Sequence, residues 1–135
     1  MPDPAQIETL VGEFFRAFDS RAGAVPSIAA LVGLFTERAV ICQHRAGGCE
    51  FFSPAQFARP RVELLSSGRL REFHEWELQA TTTIRGPVAM RVSRYAKAGL
   101  MDGADYAGQG TKLFQLAQVN GTWRILSLSW FDDPG

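Results

Sequence analysis

The sequence has no surplus of either charge. Its 14 Lys and Arg stand against 14 Asp and Glu, and nowhere do the basic residues gather into a run. That absence removes the electrostatic footprint of a nucleic-acid binder. Apolar runs are all too short for a membrane span, and Met1–Leu10 lacks the charged and apolar regions of a secretory signal. No membrane association is expected, and a cytoplasmic location is. Histidine is scarce, with only His44 and His74, and so is cysteine, with only Cys42 and Cys49. Two thiols without an export signal are expected to stay reduced. Cys42, His44 and Cys49 match no zinc-ligand spacing and have no fourth ligand nearby, so neither a metal nor a cofactor is expected. Linkers, repeats and low-complexity stretches are missing too, leaving residues 1–135 as one domain.

What is present is strongest near the end. Two apolar runs, Thr111–Val119 and Thr122–Phe131, flank Asn120-Gly121, the dipeptide that best accepts the positive φ angles of a type I′ turn. A long β-hairpin follows from that pattern. Upstream, Asp3-Pro4-Ala5-Gln6 offers a helix cap, and Ile7, Leu10, Val11, Phe14 and Phe18 then repeat at helical spacing. Helical amphipathicity accounts for this aromatic stripe as core. A shorter helix is predicted around Ser27–Phe35, and a short strand over Ala39–Arg45 that ends at Gly47-Gly48. Ser53-Pro54-Ala55-Gln56 repeats the capping pattern and starts a third helix, reaching about Ser67. Pro60 either kinks it or separates its first turn.

Glu72–Arg85 alternates. His74, Trp76, Leu78, Ala80, Thr82 and Ile84 share the parity expected to pack, which leaves Glu75 and Glu77 as solvated charges. Gly86-Pro87 turns the chain into Val88–Ala98, and Gly99–Asp105 leads to the closing hairpin. Helices collected early, followed by sequential hairpins, predict an α+β domain in which a curved antiparallel sheet wraps the helices. Both parities of the last strand are apolar. Leu126, Leu128 and Trp130 are therefore expected on the outer sheet face, where a homodimer interface would cover them.

The closing Gly121-Thr122-Trp123-Arg124-Ile125…Trp130 strand and the preceding Gly108-x-Gly110-Thr111-x-x-Phe114 strand resemble those of SnoaL-like members of the nuclear transport factor 2-like superfamily. The opening Val11–Phe18 helix and the passage Phe35–Val40 into the first strand fit the same pattern. The resemblance implies a cone. Three helices fill the concave face of a strongly bent sheet, and a pocket opens at the wide end. Superfamily members include isomerases, dehydratases, cyclases and binding domains, so fold alone leaves activity open. Ketosteroid isomerisation needs a carboxylate base, a Tyr and a protonated Asp. Its pattern falls here on about Gln43, Phe14 and about Lys112, none of which can take those roles; only a one-residue slip to His44 would restore a base.

Parity combined with this concavity nominates a pocket lined by Phe14, Gln43 or His44, His74, Trp76, Met90, Arg94, Lys112, Ser127, Ser129 and Phe131. Arg94 and Lys112 would face an apolar interior, where a cation needs a partner. That partner is Glu13 or an acidic ligand held over Trp76 and Phe131. If a bulge shifts parity, both cations instead reach the rim. The expected function is binding of a small, mostly apolar, acidic molecule by a homodimer. Two alternatives stand beside it: a SnoaL-like lyase or isomerase using His44 or His74 for proton transfer, and a structural dimer whose cone is filled by its own side chains.

Overall fold

The structure, a computed structural model, describes residues 4–135; the predicted cap Asp3 lies outside them. Helix α1 (Pro4–Arg16) leads through a 3-10 turn (Arg21–Gly23) to α2 (Ile28–Val32), β1 (Phe35–Arg45), β2 (Gly48–Phe52) and α3 (Pro54–Ser66). The long strands β3 (Leu70–Arg85), β4 (Val88–Met101), β5 (Ala104–Val119) and β6 (Thr122–Asp132) complete the chain. The strands form one curved sheet in the order β2-β1-β6-β5-β4-β3. Ile7, Leu10, Val11, Phe14 and Phe15 of α1 are buried in the core that the sheet encloses with α3, as the helical stripe predicts.

Turn chemistry sets the boundaries. Asn120-Gly121 adopts φ values of 53° and 79° and closes the predicted β5–β6 hairpin, with Val119 paired to Thr122. At α3, the Ser53 hydroxyl accepts from the Gln56 amide at 3.2 Å, and the Gln56 side chain accepts from the Ser53 amide at 2.9 Å. Two orphan donors of the first turn are thereby satisfied. The helix runs continuously through Pro60. Asp102-Gly103 shortens the predicted connection of seven residues to a two-residue turn between β4 and β5.

Two strand predictions change. Ala46-Gly47 makes a turn rather than an end, so Gly48–Phe52 folds back on β1 as a strand the sequence reading missed. The second helix stops at Val32, and Phe35 already opens β1, which pairs parallel to β6 in an otherwise antiparallel sheet.

Side-chain parity changes more, and it decides the site. On β5 the predicted inward set, Lys112, Phe114 and Leu116, is buried. Register carries that face onto β4 as Ser93 beside Lys112 and Arg91 beside Phe114, so Met90, Val92 and Arg94 face outward, against expectation. Polar residues occupy the inner face here because they satisfy one another. Arg91 donates to Glu77 at 2.6 and 3.0 Å, to Glu8 at 2.8 and 3.0 Å and to Thr82 at 2.8 Å, while Ser93 also donates to Glu77. Glu75 and Glu77 are therefore interior ion-pair partners, not solvated charges. His74 and Trp76 turn to the outer face, in the segment that lies between two irregularities, at Arg71/His74 and at Glu77/Gln79.

On β6 an irregularity opposite Gln115/Leu116 sets Leu126 between two paired residues and reverses the parity beyond it. Leu128 is 1% exposed and Trp130 5%, both in the core, while Ser127, Ser129 and Phe131 face outward. The interface expected at Leu128 and Trp130 is thus ruled out by burial, and Leu126 is half-buried at the bulge.

Candidate functional site at the open end of the cone

Three cross-strand rows of inward side chains build the wide end of the cone. One runs Gln43–Trp130–Lys112–Ser93, the next Asp132–Gly110–Tyr95–Glu77, and the last Gly108–Lys97–Glu75. Helix α3 lies over them and brings Phe57, Arg61 and Leu64. Between helix and sheet is a cavity of about 570 Å³, walled also by Phe18, Leu70, Phe73 and Tyr106. Glycine at 110 is a spatial requirement. A Cβ there would collide with the Phe131 carbonyl and lie 2.8 Å from the Tyr95 hydroxyl.

Charge in this cavity is paired in layers. At the bottom, Lys112 Nζ sits 3.4 Å from Glu75 Oε1 and 3.9 Å from the centre of the Tyr95 ring. At that separation the carboxylate and ammonium attract without a well-formed hydrogen bond, which leaves Glu75 Oε1 a buried acceptor with no hydrogen-bond partner among the described residues. Burial pulls the Lys112 ammonium below the ordinary lysine range, and Glu75 and Asp132 offset part of that. Higher up, Asp132 accepts from the Tyr95 hydroxyl through one oxygen and from Lys97 Nζ at 3.0 Å through the other. Burial raises the Asp132 carboxyl, yet Tyr95, Lys97 and Lys112 together hold it below its usual value. Burial and the Asp132 contact push the Tyr95 phenol far up, so it stays a donor.

Arg61 is different. Its guanidinium carbon lies 4.3 Å from the Phe57 ring centre, 5.2 Å from that of Trp130 and 5.3 Å from that of Phe52. Nη1 donates to the Phe57 carbonyl at 3.0 Å. Burial lowers its pKa, and no carboxylate of the described residues forms a salt bridge with it. A half-buried guanidinium on an aromatic bed, with donors left over, suits a carboxylate or similar anion.

The predicted pocket residues divide accordingly. Gln43 and Lys112 line the cavity, and His44 borders it, but the exposed His44 imidazole sits against Cys49, with Sγ 3.1 Å from Nδ1. Phe14 is fully buried beneath the cavity, packed edge-on to Phe18 and Phe114. His74 stacks on Trp76 at 4.3 Å on the outer face, with its Nδ1 buried and without a hydrogen-bond partner among the described residues. Arg94 pairs with Asp133 at 2.7 Å outside the cone, not with Glu13. Met90, Ser127, Ser129 and Phe131 are also outside, Ser127 bonded to Gln115 at 3.1 Å. Sequence reasoning missed Arg61, Glu75, Tyr95, Lys97 and Asp132. The spacing Phe57-x-x-x-Arg61-x-x-x-Leu65, a cation on the apolar stripe of α3, is the signal that could have found the first.

No family model and no curated protein matches this sequence. Solved structures do. A nuclear transport factor 2-like superfamily protein from Salmonella enterica aligns with TM-score 0.75 at 14% identity, over 97% of this chain and 91% of that one. A cystatin-like-fold protein of unknown function from Nostoc punctiforme aligns with TM-score 0.70 at 13% identity, over 98% and 92%. The chain has the nuclear transport factor 2-like fold. A protein of unknown function with that fold from Silicibacter pomeroyi aligns with TM-score 0.67 at 17% identity, over 96% and 94%. Among the described residues, no helix is long and apolar enough to cross a membrane.

Proposed function

We propose that this cone-fold chain binds a small, mostly apolar molecule carrying an acidic group, and that two copies pair through the outer sheet face. One observation carries the first part. Arg61 is a half-buried cation with no salt-bridged carboxylate among the described residues, lying on the aromatic wall of the cavity. The acid would meet Arg61, and the apolar body would lie among Phe57, Phe73 and Trp130. Lys112, already paired with Glu75, sets the potential behind it. Isothermal titration with 2-naphthylacetate and with its primary amide tests this. The acid is expected to bind about 10–100-fold more tightly than the amide, and Arg61→Met is expected to abolish the difference, as the loss of one charge-assisted hydrogen-bonded pair requires. Equal affinities for acid and amide would refute it.

The second part rests on the outer face, where Val40, Phe51, Met90, Val92, Leu113 and Phe131 are exposed on neighbouring strands. An apolar patch that runs across neighbouring strands can meet its own copy in a two-fold pairing of two chains.

A proton-transfer enzyme is the second reading, favoured by Glu75 Oε1, a carboxylate oxygen beside the cavity that is ion-paired with Lys112 but accepts no hydrogen bond among the described residues. In that reading Glu75, not His74, takes the proton from a bound carbon acid. Solvent-deuterium exchange into the methylene of phenylpyruvate, lost in Glu75→Gln, is its expected signature.

A further inference from the structure

The β1–β2 hairpin assembles a second constellation on its outer face, sharing only His44 with the rim of the cavity. His44 is paired directly with Cys49 across the two strands, and Cys42 stands two residues along β1 on the same outer face. Directly opposed residues place their Cβ atoms about 4.5–5.5 Å apart, so backbone register fixes the His44–Cys49 side of the triangle, and Cys42 closes it from the diagonal position. The two sulfurs and an imidazole nitrogen all lie within 4.8 Å of one another. Cys49 Sγ is 3.1 Å from His44 Nδ1. Both thiols are free; Cys42 is buried, while Cys49 and His44 are exposed and open to an arriving ion.

We propose that Cys42, His44 and Cys49 form a three-ligand site for a zinc-class divalent cation, with one coordination position left open. Two thiolates and a neutral imidazole make a soft donor set of the kind that selects zinc over magnesium or calcium. A tetrahedral ion with bonds of about 2.3 Å to sulfur and about 2.0 Å to nitrogen holds its donors roughly 3.5–3.8 Å apart. The triangle reaches that size by an inward turn of side chains of about 1 Å, with no change in the hairpin register. On binding, each thiol gives its proton to solvent as its sulfur–metal bond forms. The two thiolates then balance the ion's charge, so no further carboxylate is needed. The fourth corner of the hairpin patch is Phe51, opposite Cys42, and Phe131 lies beside His44 on β6. Neither can donate. These rings wall the ion and leave its last position to water or an added ligand, the arrangement of open rather than closed zinc sites.

Cobalt(II) substitutes for zinc and reports its ligands by colour. Titration of the reduced, full-length protein with Co²⁺ is expected to give a thiolate-to-cobalt charge-transfer band and strong tetrahedral visible bands at one equivalent, both bleached by one equivalent of Zn²⁺. Cys49→Ser and His44→Ala alter exposed side chains and are expected to fold normally, with cobalt affinity reduced about tenfold or more. Absence of the charge-transfer band in the wild-type protein would overturn the assignment, as would unchanged affinity in either variant.

Discussion

Lys112 holds its ammonium nitrogen 3.4 Å from Oε1 of Glu75, and both side chains are almost closed off from solvent. A buried pair of this kind costs desolvation on both sides, so its worth shows only when one member is removed. Lys112→Met strands the Glu75 carboxylate, and urea unfolding at pH 7 is expected to show a loss of about 3–5 kcal/mol. Adding Glu75→Gln to it removes the stranded charge and is expected to return most of that stability. A double variant no more stable than the single one would show that the pair does not act as a unit.

Arg91 ties the amino-terminal helix to the sheet through two carboxylates of unequal burial. Glu77 is mostly enclosed, whereas the side chain of Glu8 is 64% exposed. Arg91→Met is expected to cost about 3–5 kcal/mol, because the mostly enclosed Glu77 loses its main donor and its counter-ion. Glu8→Gln is expected to cost less than about 1 kcal/mol, as for an exposed ion pair. Denaturation curves of the two variants check the ordering.

Acid sensitivity is expected to run through Asp132. Its carboxyl lies below the unfolded-state value, because Tyr95, Lys97 and Lys112 together outweigh the cost of burial. Across the interval between the two values the unfolded chain binds more protons. Stability from this group is therefore complete above the ordinary carboxylate range and is lost as pH falls through the folded-state value. Asp132→Asn is expected to lower Tm at pH 7, with the gap to wild type closing below the ordinary carboxylate range. A gap that stays constant with pH would contradict the linkage.

Pairing through the outer face is expected to make the protein dimeric in sedimentation experiments. Leu113→Lys places a charge in the middle of that face, beside Val92 on β4 and Ser129 on β6, without entering the core. The variant is expected to sediment as a monomer with near-native secondary structure. An unchanged dimer would move the interface elsewhere.

Features encoded locally were legible in the sequence, and those set by tertiary compensation were not. Asn120-Gly121, the Ser53/Gln56 box and the Ile7–Phe18 stripe each carry their own backbone or packing logic within a few residues. Together with the order of elements they give the cone. Parity on β4 failed because Arg91 and Ser93 read as surface residues, and only Glu77 and Glu8, far away in sequence, make their burial tolerable. Parity on β6 failed beyond Leu126 because a bulge leaves no compositional mark. The pocket assignment inherited both errors. It kept Gln43 and Lys112, whose parity was right, and lost Arg94 and Phe131 to the outer face. Gly47-Gly48 reads as the end of the first strand, and only strand pairing shows Cys49 opposite His44.

The most direct test of the cavity's role is a crystal structure of the protein grown with 2-naphthylacetate. The carboxylate is expected against the Arg61 guanidinium, with the naphthyl rings among Phe57, Phe73 and Trp130 inside the cone. A cone that stays empty at saturating ligand, or a ligand seated with its acid away from Arg61, would contradict the proposal.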